Sequence, residues 1–175
     1  EIPIMDGSSK DFIEILKNVS IKKLNKKRKF LKILKKLELE DNERTITIEP
    51  SDLTFEVNFQ LDYSNNIIGK QKNTINFFND NLKDIYSSRT FCLFEDIEKI
   101  KKSGLAKGGS LDNAIVVDDE RVINEDGLRN EKEFVNHKIL DLAGDFLLSG
   151  YRILGKVNCY QGGHGLTNLF LRKLF

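Results

Sequence analysis

Between residues 29 and 75 apolar side chains recur at every second position, as Leu31 and Ile33, Leu37 and Leu39, Ile46 and Ile48, and then Leu53, Phe55, Val57, Phe59 and Leu61. Neighbouring residues of an extended chain point to opposite sides, so this period wets one face and buries the other. It predicts half-buried antiparallel strands. Breaks fall at Asp41-Asn42 and at Pro50-Ser51-Asp52, residue types that turn a chain through side-chain hydrogen bonds or a fixed φ. One more strand is expected near residues 72–77, after a loop holding Asn65, Asn66 and Gly69. Asp80 then stands where it could cap a short helix over 81–88, with Leu82, Ile85 and Tyr86 as its apolar positions.

The period lengthens to that of a helix in the run NEKEFVNHKILDLAGDFLLSG at residues 130–150. Asn130 is placed to cap it, Glu133 to reach back to the cap's own N–H, and Gly150 to supply a left-handed stop. Within it His137, Asp141 and Asp145 recur at a spacing of four and share one polar stripe. Ile139, Leu140, Leu142, Ala143, Phe146 and Leu147 supply the apolar faces. A histidine and a carboxylate one turn apart are spaced to hold one divalent cation. A plain surface His–Asp pair fits the same spacing. The chain has only two histidines, and the other, His164, lies in the glycine-rich stretch YQGGHGL, where the backbone can come close to a ligand.

The remaining stretches complete an α+β chain. After an extended leading segment at residues 1–7, Ser8 or Ser9 starts a helix with Phe12, Ile13, Ile15, Leu16 and Val19 on its apolar face. Residues 21–37 carry nine Lys and Arg. They read as the solvated face of a strand and not as a nucleic-acid groove, because stacking aromatics are not interleaved, Phe30 standing alone, and acidic residues follow at once. The overall net charge of +1 agrees with no nucleic-acid partner. Ile97 and Ile100 mark a short helix closed by Gly104, and a hairpin is expected to join 114–118 to 121–124 across Asp118-Asp119-Glu120. That acidic turn lacks the staggered spacing of a calcium loop. A strand at 155–160 and a terminal helix over 165–175, with Leu166, Leu169, Phe170 and Leu174 inward, end the chain. This order implies a two-layer α+β sandwich, a mostly antiparallel sheet with helices on one face. No apolar run is long enough to span a bilayer, so no stable membrane insertion is expected. Cys92 and Cys159 share no motif spacing and read as reduced thiols of a cytoplasmic protein.

Taken together, EIPIMDGSS, SSRTF, GGSLDNAIVVDDERVINEDGLR, HKILDLAGD and GHGLTN resemble the UDP-3-O-acyl-N-acetylglucosamine deacetylase family, zinc enzymes of bacterial lipid A synthesis. The likeness is collinear over nearly the whole chain, most specific over residues 89–168 and weakest through the lysine-rich strands. It implies two similar α+β domains with the active site between them. Residues 1–20 would be the closing segment of a truncated first domain and the connection, and residues 21–175 the second domain. A small helix-containing insert is placed near 92–110, its residues 97–106 lining a passage for the fatty acyl chain. By the same resemblance Zn2+ is held by His137 and Asp141, two of three protein ligands. His164 becomes the general acid or oxyanion partner, Asp145 the carboxylate that orients it, and Thr90 the hydroxyl that steadies the oxyanion. Lys138 and Phe91 become substrate-binding residues.

The departures from the family pattern carry their own implications. The third zinc ligand and the general-base glutamate of the family form an adjacent Glu-His pair of the first domain, and this chain contains no such pair. Weak zinc binding and little or no hydrolysis by this chain alone follow, with the first domain as a required partner. Cys92 stands where a glycine is usual, and Gln161 where a lysine usually contacts the substrate's diphosphate. Two functions are therefore set against each other. One is zinc-dependent hydrolysis of the N-acetyl group of UDP-3-O-acyl-N-acetylglucosamine; the other is a non-catalytic remnant binding the nucleotide sugar or the acyl chain.

Overall fold

The computed structural model describes residues 2–175; Glu1, where the leading segment was expected to start, lies outside the described residues. The alternating stretch forms β1 (Phe30–Lys32), β2 (Leu37–Asp41), β3 (Arg44–Pro50), β4 (Phe55–Asp62) and β5 (Lys70–Asn76). Along β4 each of Phe55, Val57, Phe59 and Leu61 is buried, as the period requires. Asn42 turns β2 into β3 at a φ of 56°, a conformation that asparagine tolerates better than most residues. Leu53 does not join β4 and is exposed, because the strand starts only after the bend.

The centre of the sheet is taken by the last strand, β8 (Arg152–Tyr160). The order is β2-β3-β8-β4-β5, so β3 and β4, neighbours in sequence, are held apart by β8. It runs antiparallel to β3 and parallel to β4, and its first residues pair in parallel with β1. With the β2–β3 and β4–β5 ladders this makes three antiparallel and two parallel pairings. The helices α4 (Glu133–Leu147) and α5 (His164–Leu174) pack side by side on one face. Phe59, Phe134, Phe146 and Phe170 interleave there with Ile46, Ile48, Val57 and Val157, and each such side chain stabilises the fold by roughly 1.5–3 kcal/mol. The opposite face is polar: Asn58 Nδ2 donates to Asn158 Oδ1 at 3.1 Å across β4 and β8. A two-layer α+β sandwich is the result.

Several local expectations change in the folded chain. The first helix, α1 (Lys10–Asn18), buries no residue, and Ile15, Leu16 and Val19 are exposed. Residues 20–29 form an exposed irregular segment, and only the three residues of β1 are strand. Clustered like charges repel in an extended ladder, and no apolar residue alternates there until Phe30. The short helix near 81–88 shrinks to α2 (Lys83–Tyr86). Asp80 does not cap it, since Asp80 Oδ2 accepts the N–H of Asn76 at 2.8 Å; Asn81 Oδ1 takes the N–H of Lys83 instead. The terminal helix turns Leu166 and Phe170 inward but leaves Leu169 exposed.

The expected hairpin is likewise replaced. β7 (Ile115–Val117) pairs in parallel with β6 (Phe91–Leu93), and only the bridge between Val117 and Val122 remains of the antiparallel partner. Parallel strands need a crossover. It is made by residues 94–114, including α3 (Ile97–Lys102). Asp118 Oδ1 accepts the N–H groups of Glu120 and Arg121, so the acidic turn caps itself. Gly7, at φ +81°, is held against this unit: a Cβ there would lie 2.1 Å from Asn113 O. Among the described residues no helix is long and apolar enough to cross a membrane.

Candidate active site

The helix α4 carries the polar stripe, but its start is not a capping box. Asn130 Oδ1 accepts from Lys132 N and from Asn136 Nδ2, both at 3.1 Å, and Glu133 turns away from the cap. Its fully buried carboxylate accepts from Arg89 instead, at 2.9 Å from Nε. A buried carboxylate gains more from a guanidinium than from a neutral N–H. Gly150 does adopt the expected left-handed φ, +78°, past the end of the helix.

One turn beyond Glu133, His137 is only 7% exposed, and its Nδ1 lies 3.0 Å from Ser88 O. A carbonyl only accepts, so Nδ1 is assigned the proton and Nε2 the lone pair. Burial pushes the imidazole below its ordinary 6.5, against the pull of Asp141, and the ring is neutral at pH 7. Yet Nε2 stands 3.3 Å from Asp141 Oδ1. Two acceptors therefore face each other with no proton between them, an arrangement that a cation would relieve. Donors bound to one tetrahedral zinc stand about 3.3 Å apart, so the pair fits that ion. Among the described residues no group of three His, Cys, Asp or Glu side chains is arranged to hold a metal; this chain offers two.

The second histidine is built differently. His164 opens α5 after Gly163 and is exposed, with Nδ1 at 2.9 and 3.0 Å from the two oxygens of Asp145. Its Nε2 stands 4.0 Å from Asp141 Oδ2. The fold thus brings His137, Asp141, Asp145 and His164 together, although the last is separated from the others by β8. Lys138 Nζ pairs with Asp141 Oδ2 at 3.0 Å and lies 5.4 Å from the Phe91 ring centroid. Phe91 packs edge-on against Phe134, with ring centroids 5.0 Å apart. Thr90 lies two residues beyond Ser88, its backbone fixed by bonds to Gly7 O and from Ile115 N. In the glycine-rich loop, Gly162 is required by the core, since a Cβ there would meet Cys159 Sγ at 2.2 Å. Burial pushes the Cys159 thiol up to about 12.

One cavity adjoins these residues at Lys138, and a second lies beside Cys92. The first is polar, about 370 Å³, and is lined by Glu43, Arg44, Tyr63, Lys138, Gln161 and Gly162. Arg44 and Tyr63 escaped the sequence reading; Arg44 opens β3 and Tyr63 follows the end of β4, and no spacing links them to α4. The Gln161 amide donates to Asp62 O, and its φ of 52° turns the chain out of β8. The other cavity, about 290 Å³, is apolar and is walled by Cys92, Ile97, Ile100, Leu111, Val116 and Ile123. Burial, followed by the nearby Asp96 charge, raises the Cys92 thiol.

A neutral imidazole and a carboxylate converge on one point, with a second imidazole oriented by its own carboxylate beside them, a set of groups able to hold an ion and to move a proton. Comparison with known proteins gives the particular family. The family model for UDP-3-O-acyl N-acetylglycosamine deacetylase matches residues 1–175. The chain is 44% identical over 177 residues to the UDP-3-O-acyl-N-acetylglucosamine deacetylase of Histophilus somni (strain 129Pt), covering 99% of this chain and 58% of that protein. It is 43% identical over 175 residues to the protein of the same description from Aliivibrio fischeri (strain ATCC 700601 / ES114), covering 98% and 57%. This chain belongs to the UDP-3-O-acyl N-acetylglycosamine deacetylase family. It spans 57–58% of the length of these relatives.

Proposed function

We propose that this chain is the part of a cytoplasmic zinc-dependent amidohydrolase that removes the N-acetyl group of UDP-3-O-acyl-N-acetylglucosamine in lipid A biosynthesis. The observation that carries the reading is the 3.3 Å approach of His137 Nε2, its proton held on the other nitrogen, to Asp141 Oδ1. Those two side chains would hold the ion, and a first domain would supply the third ligand and the general base. Zinc bound there supplies Lewis-acid polarisation of the amide carbonyl and activation of water.

The remaining roles fall to residues around that point. His164, with Nδ1 on Asp145, presents Nε2 outward and hands a proton to the leaving sugar amine, while Asp145 stabilises the charged ring. Thr90 donates its hydroxyl to the developing oxyanion. Arg44 and Lys138 hold the diphosphate in the polar cavity, where Tyr63 offers a ring to the nucleotide and Phe91 packs beneath Lys138. The acyl chain enters the apolar cavity beside Cys92.

A second reading, a non-catalytic remnant that binds the nucleotide sugar or acyl chain, is favoured by one observation: among the described residues a third ligand is missing. Zinc content of the purified chain beside its His137→Ala variant separates the two. Zinc near one per chain, lost in the variant, supports the enzyme reading and leads to a deacetylation assay. No zinc in either protein makes this chain alone an incomplete site, and the enzyme reading then holds only for a longer protein that adds the third ligand.

A further inference from the structure

We infer that the buried Arg89–Glu133 ion pair is a positioning device for His137, a claim that rests on the metal-site reading above. Glu133 is fully buried and Arg89 is 2% exposed. Burying two opposite charges carries a large desolvation cost, and an apolar pair of the same volume is often as stable. A reason beyond stability is therefore to be sought in what the pair holds.

It holds one peptide group. Glu133 and His137 are four residues apart on α4, about 6 Å along its axis. The Ser88–Arg89 peptide lies between them. Its N–H donates to Glu133 Oε1 at 3.1 Å, and its C=O accepts from His137 Nδ1 at 3.0 Å. In a planar trans peptide these two groups point in opposite directions, so fixing one end aims the other. The Arg89 side chain pins the same carboxylate, with Nε 2.9 Å from Oε1 and Nη2 3.3 Å from Oε2. Its other bonds, to Asp126 Oδ2 and Gly127 O, and the bond of Arg129 N to Glu133 Oε2, tie the loop before α4 into the same node. Glu133 thus sets the direction of Ser88 O, and Ser88 O sets which imidazole nitrogen carries the proton.

The test reads the His137 tautomer by long-range ¹H–¹⁵N NMR in the metal-free chain, and separately the zinc affinity by chelator competition. Variants are Glu133→Gln, which keeps an acceptor oxygen, and the double Arg89→Met/Glu133→Leu, which removes both charges at similar volume. Leu142→Ala, a core truncation away from the node, serves as a destabilised control. The unsubstituted chain should show the Nδ1–H form alone. The double variant should show both tautomers and bind zinc about 10–100-fold more weakly, Glu133→Gln should fall between them, and the control should keep the tautomer at lower stability. Folded variants of both kinds that retain the single tautomer and full zinc affinity would overturn the claim and leave the pair merely structural. Failure of the unsubstituted chain to take up zinc would count against the metal reading, and the tautomer populations would still decide the positioning claim by themselves.

Discussion

His137 and His164 flank the same Asp141 carboxylate, yet the fold builds them in opposite ways. His137 sits inside α4, buried, with a main-chain carbonyl on Nδ1. His164 opens α5 at the surface, with a carboxylate on Nδ1. A carbonyl fixes a tautomer without adding charge, whereas a carboxylate also stabilises the ring when it is charged. In the proposed reading one corner offers a lone pair and the other hands on a proton. Burial and partner choice divide two identical side chains into two chemistries.

The largest effects should come from breaking each corner in turn. In a longer protein that supplies the proposed third ligand, His137→Ala should lose zinc together with activity. His164→Ala should keep its zinc while kcat falls about 10²–10⁴-fold. Metal analysis beside steady-state kinetics checks this, and zinc lost from both variants would abolish the division. Stability should divide the same way. Phe134, fully buried beside His137, should cost about 3–5 kcal/mol when cut to Ala. Leu169→Ala, on the exposed side of α5, should stay within about 0.5 kcal/mol. Denaturant midpoints read both, and equal losses would mean that the two corners share one packing environment.

Smaller effects sharpen the contrast. Arg44→Ala should raise KM for the nucleotide sugar roughly 10-fold with kcat nearly unchanged, the signature of lost uniform binding. A fall in kcat alone would remove Arg44 from the substrate cavity. Another small effect concerns the segment leading toward the buried corner. Burial opposes charge on Asp6, but hydrogen bonds from Ser8 and the contact with Arg129 hold its carboxyl below the ordinary 3.8. A depressed folded pKa contributes stability above the unfolded value, and that contribution fades as the pH falls through the folded one. Asp6→Asn should therefore cost less than about 1 kcal/mol at neutral pH and nothing in stronger acid. A cost that grows on acidification would contradict the ion pair with Arg129.

What the sequence disclosed depends on the range of each interaction. The stripe of His137, Asp141 and Asp145 was legible because helical spacing is local, and β4 because alternation is local. The capping role given to Glu133 failed because its partner, Arg89, lies 44 residues upstream. The hairpin expected at 114–124 failed for the same reason, since β7 finds a better partner in β6. Alternation also cannot say which strand lies beside which, and nothing in β3 or β4 signals that β8 comes between them. In the site, the resemblance supplied residues carried on motifs. Arg44, at the start of β3, and Tyr63, just past β4, lie outside those motifs and were left out.

The placement of β8 has a consequence for synthesis. As the chain leaves the ribosome, β3 and β4 emerge with one edge each unpaired, and the strand that joins them comes about 90 residues after the end of β4. Until then two apolar strand edges stay open to proteases, to chaperones and to each other, and closure waits on a contact of long sequence separation. A nascent chain stopped before Arg152 lacks the strand with which β1, β3 and β4 all pair, and until it is made the first half has no centre to its sheet.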